Sequence, residues 1–113
     1  MKRDLTLFLN DINDSIKNIE FFSQNLLKEE FMKSRLNQSA IVRELEIIGE
    51  AVKNIPEEFR NKYPEIKWNN IAGFRDIIIH SYFKVDLEKV WNVIKKDLPD
   101  LKKKMERIRG NLG

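Results

Sequence analysis

The stretch Leu5-Thr6-Leu7-Phe8-Leu9-Asn10-Asp11-Ile12-Asn13-Asp14-Ser15-Ile16-Lys17-Asn18-Ile19-Glu20-Phe21-Phe22 decides the fold class. Leu5, Phe8, Ile12, Ile16, Ile19, Phe22 and the following Leu26 recur at steps of three and four, while Asn10, Asp14, Lys17 and Asn18 fill the opposite side. That period places the apolar residues on one face of a long amphipathic helix over about residues 3–27. A helix of this kind buries its stripe only against partners of the same period, and the rest of the chain supplies them.

Ile41, Leu45, Ile48 and Val52 form a second stripe, widened by Ala40, Ile47 and Ala51, which predicts a helix over 37–54. It must stop by Ile55, because Pro56 disfavours helical geometry in the residue before it. Glu57–Lys62 has room for one short helical turn before Tyr63-Pro64. A third main helix is expected from Trp68 to His80, with Ile71, Phe74, Ile77 and Ile78 apolar. Its β-branched run Ile77-Ile78-Ile79 would suit a strand, but no second strand exists to pair with it. Asp86 has the character of an N-cap ahead of Leu87, Val90, Trp91, Ile94 and Leu98. Pro99 should kink or restart that last helix, Leu101, Met105 and Ile108 continue it, and Gly110 should end it. The expected architecture is all-α: an up-and-down bundle of four to five helices forming one domain over residues 1–113.

Composition narrows the chemistry. The 113 residues include no cysteine and one histidine, so disulfides and classical zinc sites lack their ligands. The four glycines are scattered and form no phosphate loop. No cofactor and no metal is expected. No segment approaches the ~20 apolar residues of a membrane span, and the start of the chain lacks the apolar run of a signal peptide; the sequence reads as soluble and cytoplasmic. The net charge is +3, and residues 95–109 concentrate it, with seven basic side chains against three acidic ones. Such a segment suits a phosphate backbone, although a solvated helix face explains it at least as well. A DNA-binding regulator would need a polar recognition helix, and the central 68–80 segment is too apolar for that.

The chemically distinctive run is Arg75-Asp76-Ile77-Ile78-Ile79-His80-Ser81-Tyr82. Arginine offers a permanent charge and a planar fork of donors for phosphate, and histidine exchanges a proton near neutral pH. Together they supply what metal-free RNA cleavage needs: a proton shuttle and a cation for the charged transition state. On one ideal helix, five residues advance about 7.5 Å and turn about 140°, so Arg75 and His80 do not share a face. They meet only if the helix frays at His80 or if a second subunit completes the site, and a two-fold axis would gather two of each. Taken alone, an Arg-x4-His spacing is weak: a lone histidine at a helix end is more often a cap or a hydrogen-bonded residue, and an arginine a surface charge. Asp76 could pair with His80 one turn on, and Tyr82 by default is a half-buried aromatic.

That run resembles the R-x4-6-H signature of HEPN ribonucleases, with Asp76 as the polar residue after the arginine. The longer pattern R-x4-H-x-Y, matched by Arg75, His80 and Tyr82, is similar to the HepT toxins. The segments Ile41–Ala51, Trp68–Asp76 and Val85–Trp91 also resemble that family, so the likeness covers nearly the whole chain. The resemblance implies an all-α homodimer in which Arg75 and His80 of both subunits line one cleft. It implies a metal-independent endoribonuclease toxin acting on tRNA or mRNA, with His80 as acid and base, Arg75 on the phosphate, and Asp76 orienting them. It also implies a minimal nucleotidyltransferase antitoxin of the MntA type, which can transfer AMP to the motif tyrosine, here Tyr82. The alternative is a non-catalytic helical module that presents a substrate to a nucleotidyltransferase.

Overall fold

The computed structural model describes residues 2–74 and 86–112, whose regular elements are all helices joined by short turns, with no strand among them. The first amphipathic stripe forms α1 (Lys2–Ser23), with Asp4 in its first turn where the helix dipole favours an acid. Ile12, Ile16 and Ile19 are buried as expected, joined by Leu9; Leu5, Phe8, Phe22 and Leu26 are half-buried around them. The helix ends at Ser23 rather than at 27. Asn25 takes a left-handed φ of 59°, a conformation asparagine tolerates better than most residues, and it turns the chain. Leu26 still packs on the core, from the turn rather than from the helix.

That turn leads into a helix the sequence pattern did not announce, α2 (Lys28–Lys33). The Glu30 carboxylate accepts the Leu27 backbone N–H at 2.8 Å, and Phe31 is fully buried. Ser34 ends α2 and caps α3 (Arg35–Asn54), its hydroxyl accepting the Asn37 N–H at 3.2 Å. The Gln38 carboxamide donates to the carbonyls of Phe31 and Met32 at 2.9 and 3.1 Å, satisfying groups that the short helix leaves open. Within α3, Ile41, Leu45, Ile48, Ala51 and Val52 are buried against α1, and the helix stops at Ile55 ahead of Pro56.

The short helix α4 (Glu57–Lys62) forms where expected and buries Phe59, whose ring lies 5.1 Å from that of Tyr63. The expected continuous helix from Trp68 does not form. α5 (Trp68–Ala72) ends at Gly73, whose N–H bonds back to Asn69 O, and the backbone is helical again at Phe74. The remainder, residues 75–80, lies outside the described residues. On the other side, Asp86 caps α6 (Leu87–Asn92), as expected. Pro99 does not break the rod that follows. Its ring would crowd the carbonyl of Lys95 in a regular helix, to which it can give no N–H. The chain widens into a π turn over Val93–Asp97, with the Leu98 N–H reaching Val93 O, and runs on as α7 (Leu98–Leu112). Gly110 sits within α7 and does not end it, contrary to expectation; the helical cost of one glycine, ~1 kcal/mol, is small enough to be absorbed. Counting 87–112 as one rod, six helices are described. Their buried faces meet in one core that also takes in Ile55, Ile66, Val90, Met105 and Ile108.

Candidate functional site

Arg75, Asp76, His80 and Tyr82 lie outside the described residues, so what can be built is the frame that delivers them. On the entry side, Trp68 fixes the start of α5. Its indole N–H donates to two carbonyls, Arg60 O at 3.1 Å and Tyr63 O at 3.0 Å. The ring is thereby locked across the Tyr63-Pro64 turn, and α5 is tied to α4. Ile71 and Phe74 are buried, so the last described residue before the motif is a core residue. At Gly73 an added Cβ would lie 3.2 Å from Asn70 O, tight enough that the local backbone would have to give.

The exit side is held as firmly. The Asp86 carboxylate accepts the Lys89 N–H at 3.2 Å, satisfying one of the open donors at the start of α6. Val90 is 1% exposed. Trp91 packs on Phe31 with ring centroids 5.4 Å apart, and Lys95 Nζ lies 4.8 Å from the indole ring. An exposed ion pair between Lys28 and Glu88, at 2.8 Å, adds a second link between α2 and α6. The eleven residues that carry the motif therefore span two points, Phe74 and Asp86, each anchored in or beside the core.

The basic segment 95–109 is partly occupied. Lys102 pairs with Glu20 of α1 at 2.8 Å, and Lys104 pairs with Asp100 and donates to Glu65 O at 2.9 Å. Lys104 beside Asp100 holds that carboxyl below its ordinary range, and Glu20 raises the Lys102 ammonium. With Lys95 on Trp91, three of the seven bases serve the fold, which favours the solvated-face reading over a dedicated nucleic-acid surface. Lys103 and Arg107 stand exposed.

Sequence reasoning missed a cleft of about 530 Å³ between α4 and α5, lined by Glu57, Arg60, Asn61, Lys67, Trp68 and Asn69, among others. Neither helix shows periodicity over so few residues, and only the Tyr63-Pro64 turn brings their polar side chains together. A second, more apolar groove of about 260 Å³ lies between α1 and α7, bounded by Leu9, Asn13, Met105 and Arg109. Among the described residues no group of three or more His, Cys, Asp or Glu is arranged to hold a metal ion. None of their helices is long and apolar enough to cross a membrane.

Comparison with known proteins gives a consistent result. The profile of a family described as Ribonuclease HepT-like matches residues 12–108, a span that contains the whole motif. A Thermococcus cleftensis protein named as a probable ribonuclease HepT is 45% identical over 109 residues, covering 96% of this chain and 99% of its own. A Methanocaldococcus jannaschii protein named as a provisional RNase is 46% identical over 107 residues, 95% of this chain and 88% of its own. Another from that organism, named as a gamma-glutamylcyclotransferase and provisional RNase, is 45% identical over 112 residues. That match takes in 99% of this chain, which spans only 50% of the relative. No solved structure gave a significant match.

Proposed function

Because the chain belongs to the Ribonuclease HepT-like family, we propose that it is a metal-independent endoribonuclease whose chemistry is carried by Arg75 and His80. The observation that carries this reading is the family match over residues 12–108, which encloses Arg75-x4-His80-x-Tyr82 without departure at the three motif positions. The frame supports it: Phe74 is buried at the entry, and at the exit the exposed Asp86 caps a helix held by the buried Val90, as a site that must keep two groups in register requires.

The reaction follows from these two side chains. His80 takes the proton of a ribose 2′-hydroxyl, and the freed oxygen attacks the adjacent phosphorus. The bond to the 5′-oxygen breaks, and that oxygen leaves with a proton from a second imidazole. The products are a 2′,3′-cyclic phosphate and a 5′-hydroxyl. Arg75 neutralises the charge that builds on the phosphoryl oxygens, and Asp76 orients Arg75 or His80. One chain holds one histidine, so the acid is His80 of the partner subunit and the active form is a two-fold homodimer. Each chain is a single HEPN domain working in the cytoplasm on tRNA or mRNA. A minimal nucleotidyltransferase restrains it as antitoxin, and AMP placed on Tyr82 fills the cleft with bulk and negative charge.

The test is direct. Purified chain in EDTA should cut RNA to 2′,3′-cyclic phosphate ends, and His80→Ala and Arg75→Ala should lose the activity while keeping the helical far-UV spectrum. A wild-type dimer that leaves tRNA and mRNA intact sinks the assignment.

A further inference from the structure

The cleft between α4 and α5 has a chemistry of its own. Its polar lining offers a guanidinium from Arg60, an ammonium from Lys67 and two carboxamides from Asn61 and Asn69, against one carboxylate from Glu57. Trp68 forms a wall rather than a ligand, because its N–H is already shared between two carbonyls. At about 530 Å³ the space falls within the ~300–1,000 Å³ typical of small-ligand sites, enough for about one nucleotide.

The arginine is the decisive feature. Arg60 Nε is enclosed and has no hydrogen-bond partner. Glu57 lies three residues earlier on the same helix and lines the same cleft, yet no ion pair joins the two among the described residues. The backbone carbonyl of Arg60 is engaged by Trp68 and Tyr63, so the residue is held while its Nε is left without an acceptor. A buried donor without a partner is costly, and more so when charged. A turn of the Arg60 side chain would bring this donor to a phosphate in the cleft, which supplies the acceptor that the fold does not, and the planar fork suits it. Lys67 stands exposed on the same rim and adds a second cation.

We infer that this cleft is a second phosphate site for the RNA strand, holding a nucleotide outside the scissile position. The inference rests on the ribonuclease reading above. It commits to RNA because the cleft sits beside α5, and the chain enters the motif at Arg75 three residues after that helix ends. A strand gripped by Arg60 and Lys67 is thereby presented to the element that leads to the reacting groups. Asn61 and Asn69 can bond a sugar hydroxyl or a base edge.

The experiment uses the full chain with His80→Ala, so that binding is read without cleavage. Fluorescence anisotropy of a single-stranded RNA is followed from about 50 to 200 mM salt, with Arg60→Met and Lys67→Gln introduced singly and together. Methionine keeps the apolar stem of Arg60 in place, and thermal melts check that the fold survives. The double variant should bind about tenfold more weakly, and its salt slope should flatten by about 0.7, the share of one single-strand phosphate. In the chain with His80 intact, KM should rise while kcat stays near wild type. Affinity and slope unchanged in a folded double variant overturn the inference, even where wild-type cleavage stands. So does AMP binding that Arg60→Met abolishes while RNA binding persists, which makes the cleft a mononucleotide site. Absence of cleavage with RNA binding still lost in the double variant defeats the ribonuclease reading and leaves the cleft standing.

Discussion

Phe31→Ala is the substitution from which the packing predicts most. Phe31 is fully buried, belongs to a helix of six residues, and meets Trp91 at 5.4 Å between ring centroids. A helix that short has no stability of its own, so the ring holds α2 in place and, through Trp91, holds α6 where the chain leaves the motif. Truncating a buried phenylalanine costs ~3–5 kcal/mol, and loss of the aromatic pair favours the upper half, about 4 kcal/mol. For a 113-residue chain each kcal/mol lowers Tm by roughly 3–6 °C, so the drop should be about 15 °C. A thermal melt measures that drop, and urea unfolding followed by tryptophan fluorescence measures the free-energy loss. Phe31→Leu should lose only about 1–1.5 kcal/mol, since it keeps most of the volume. A double-mutant cycle with Trp91→Ala should give a coupling near 1 kcal/mol. If Phe31→Ala loses less than about 1 kcal/mol, the ring does not anchor α2 and the account of how the exit point is held is wrong.

Asp86→Ala should cost about 1 kcal/mol through loss of the cap to Lys89 N–H, and Asp86→Asn should restore most of it in the same unfolding assay. Gly110→Ala should stabilise by up to ~1 kcal/mol, because an added methyl meets nothing within 4 Å in a helical position; a lower Tm would contradict that geometry. The Asp100 carboxyl is lowered from 3.8, chiefly by its hydrogen bond with Lys104, so its contribution is present above that pH and lost as pH falls below it. Lys102 is raised from 10.5, chiefly by its hydrogen bond with Glu20, so its contribution is full below that pH and lost as pH rises above it. Asp100 and Lys102 themselves stand largely in solvent, which keeps both contributions small. Melting temperatures of Asp100→Asn and Lys102→Met should therefore track wild type across about pH 5–9 with a small constant offset; a wild-type advantage that changes within this window rules the assignment out.

The long elements were legible because α1, α3 and the 87–112 rod each bury several residues at helical spacing, and Pro56 and Asp86 punctuate them in ways local sterics dictate. α2 was not, since six residues hold fewer than two turns and Phe31 gains its meaning only from Trp91, sixty residues away. The pattern also overran the end of α1: Leu26 packs on the core whether the backbone reaching it is helix or turn, and only Asn25 marks the difference. Ile71 and Phe74 keep the same spacing with or without the break at Gly73. For the site, the spacing of Arg75 and His80 was weak by itself, and family likeness rather than physics gave it weight. The Arg60–Lys67 cleft was invisible, because its residues belong to two short helices whose relation is set by a turn and an indole hydrogen bond.

The π turn at 93–97 works as a phase shifter in a helix that would otherwise read as one uninterrupted stripe. Its extra residue introduces about 100° of rotation between α6 and α7. Val90 ahead of it and Val93 at its start face the core while Trp91 meets Phe31, and beyond it Leu98 and Leu101 return to the same core. The spacing between Asp86 and Pro99 is therefore a setting rather than filler. Excising Lys96 should rotate α7 by about 100° against α6 and draw Leu98, Leu101 and Met105 out of the core they fill, lowering stability even though no motif residue has been touched.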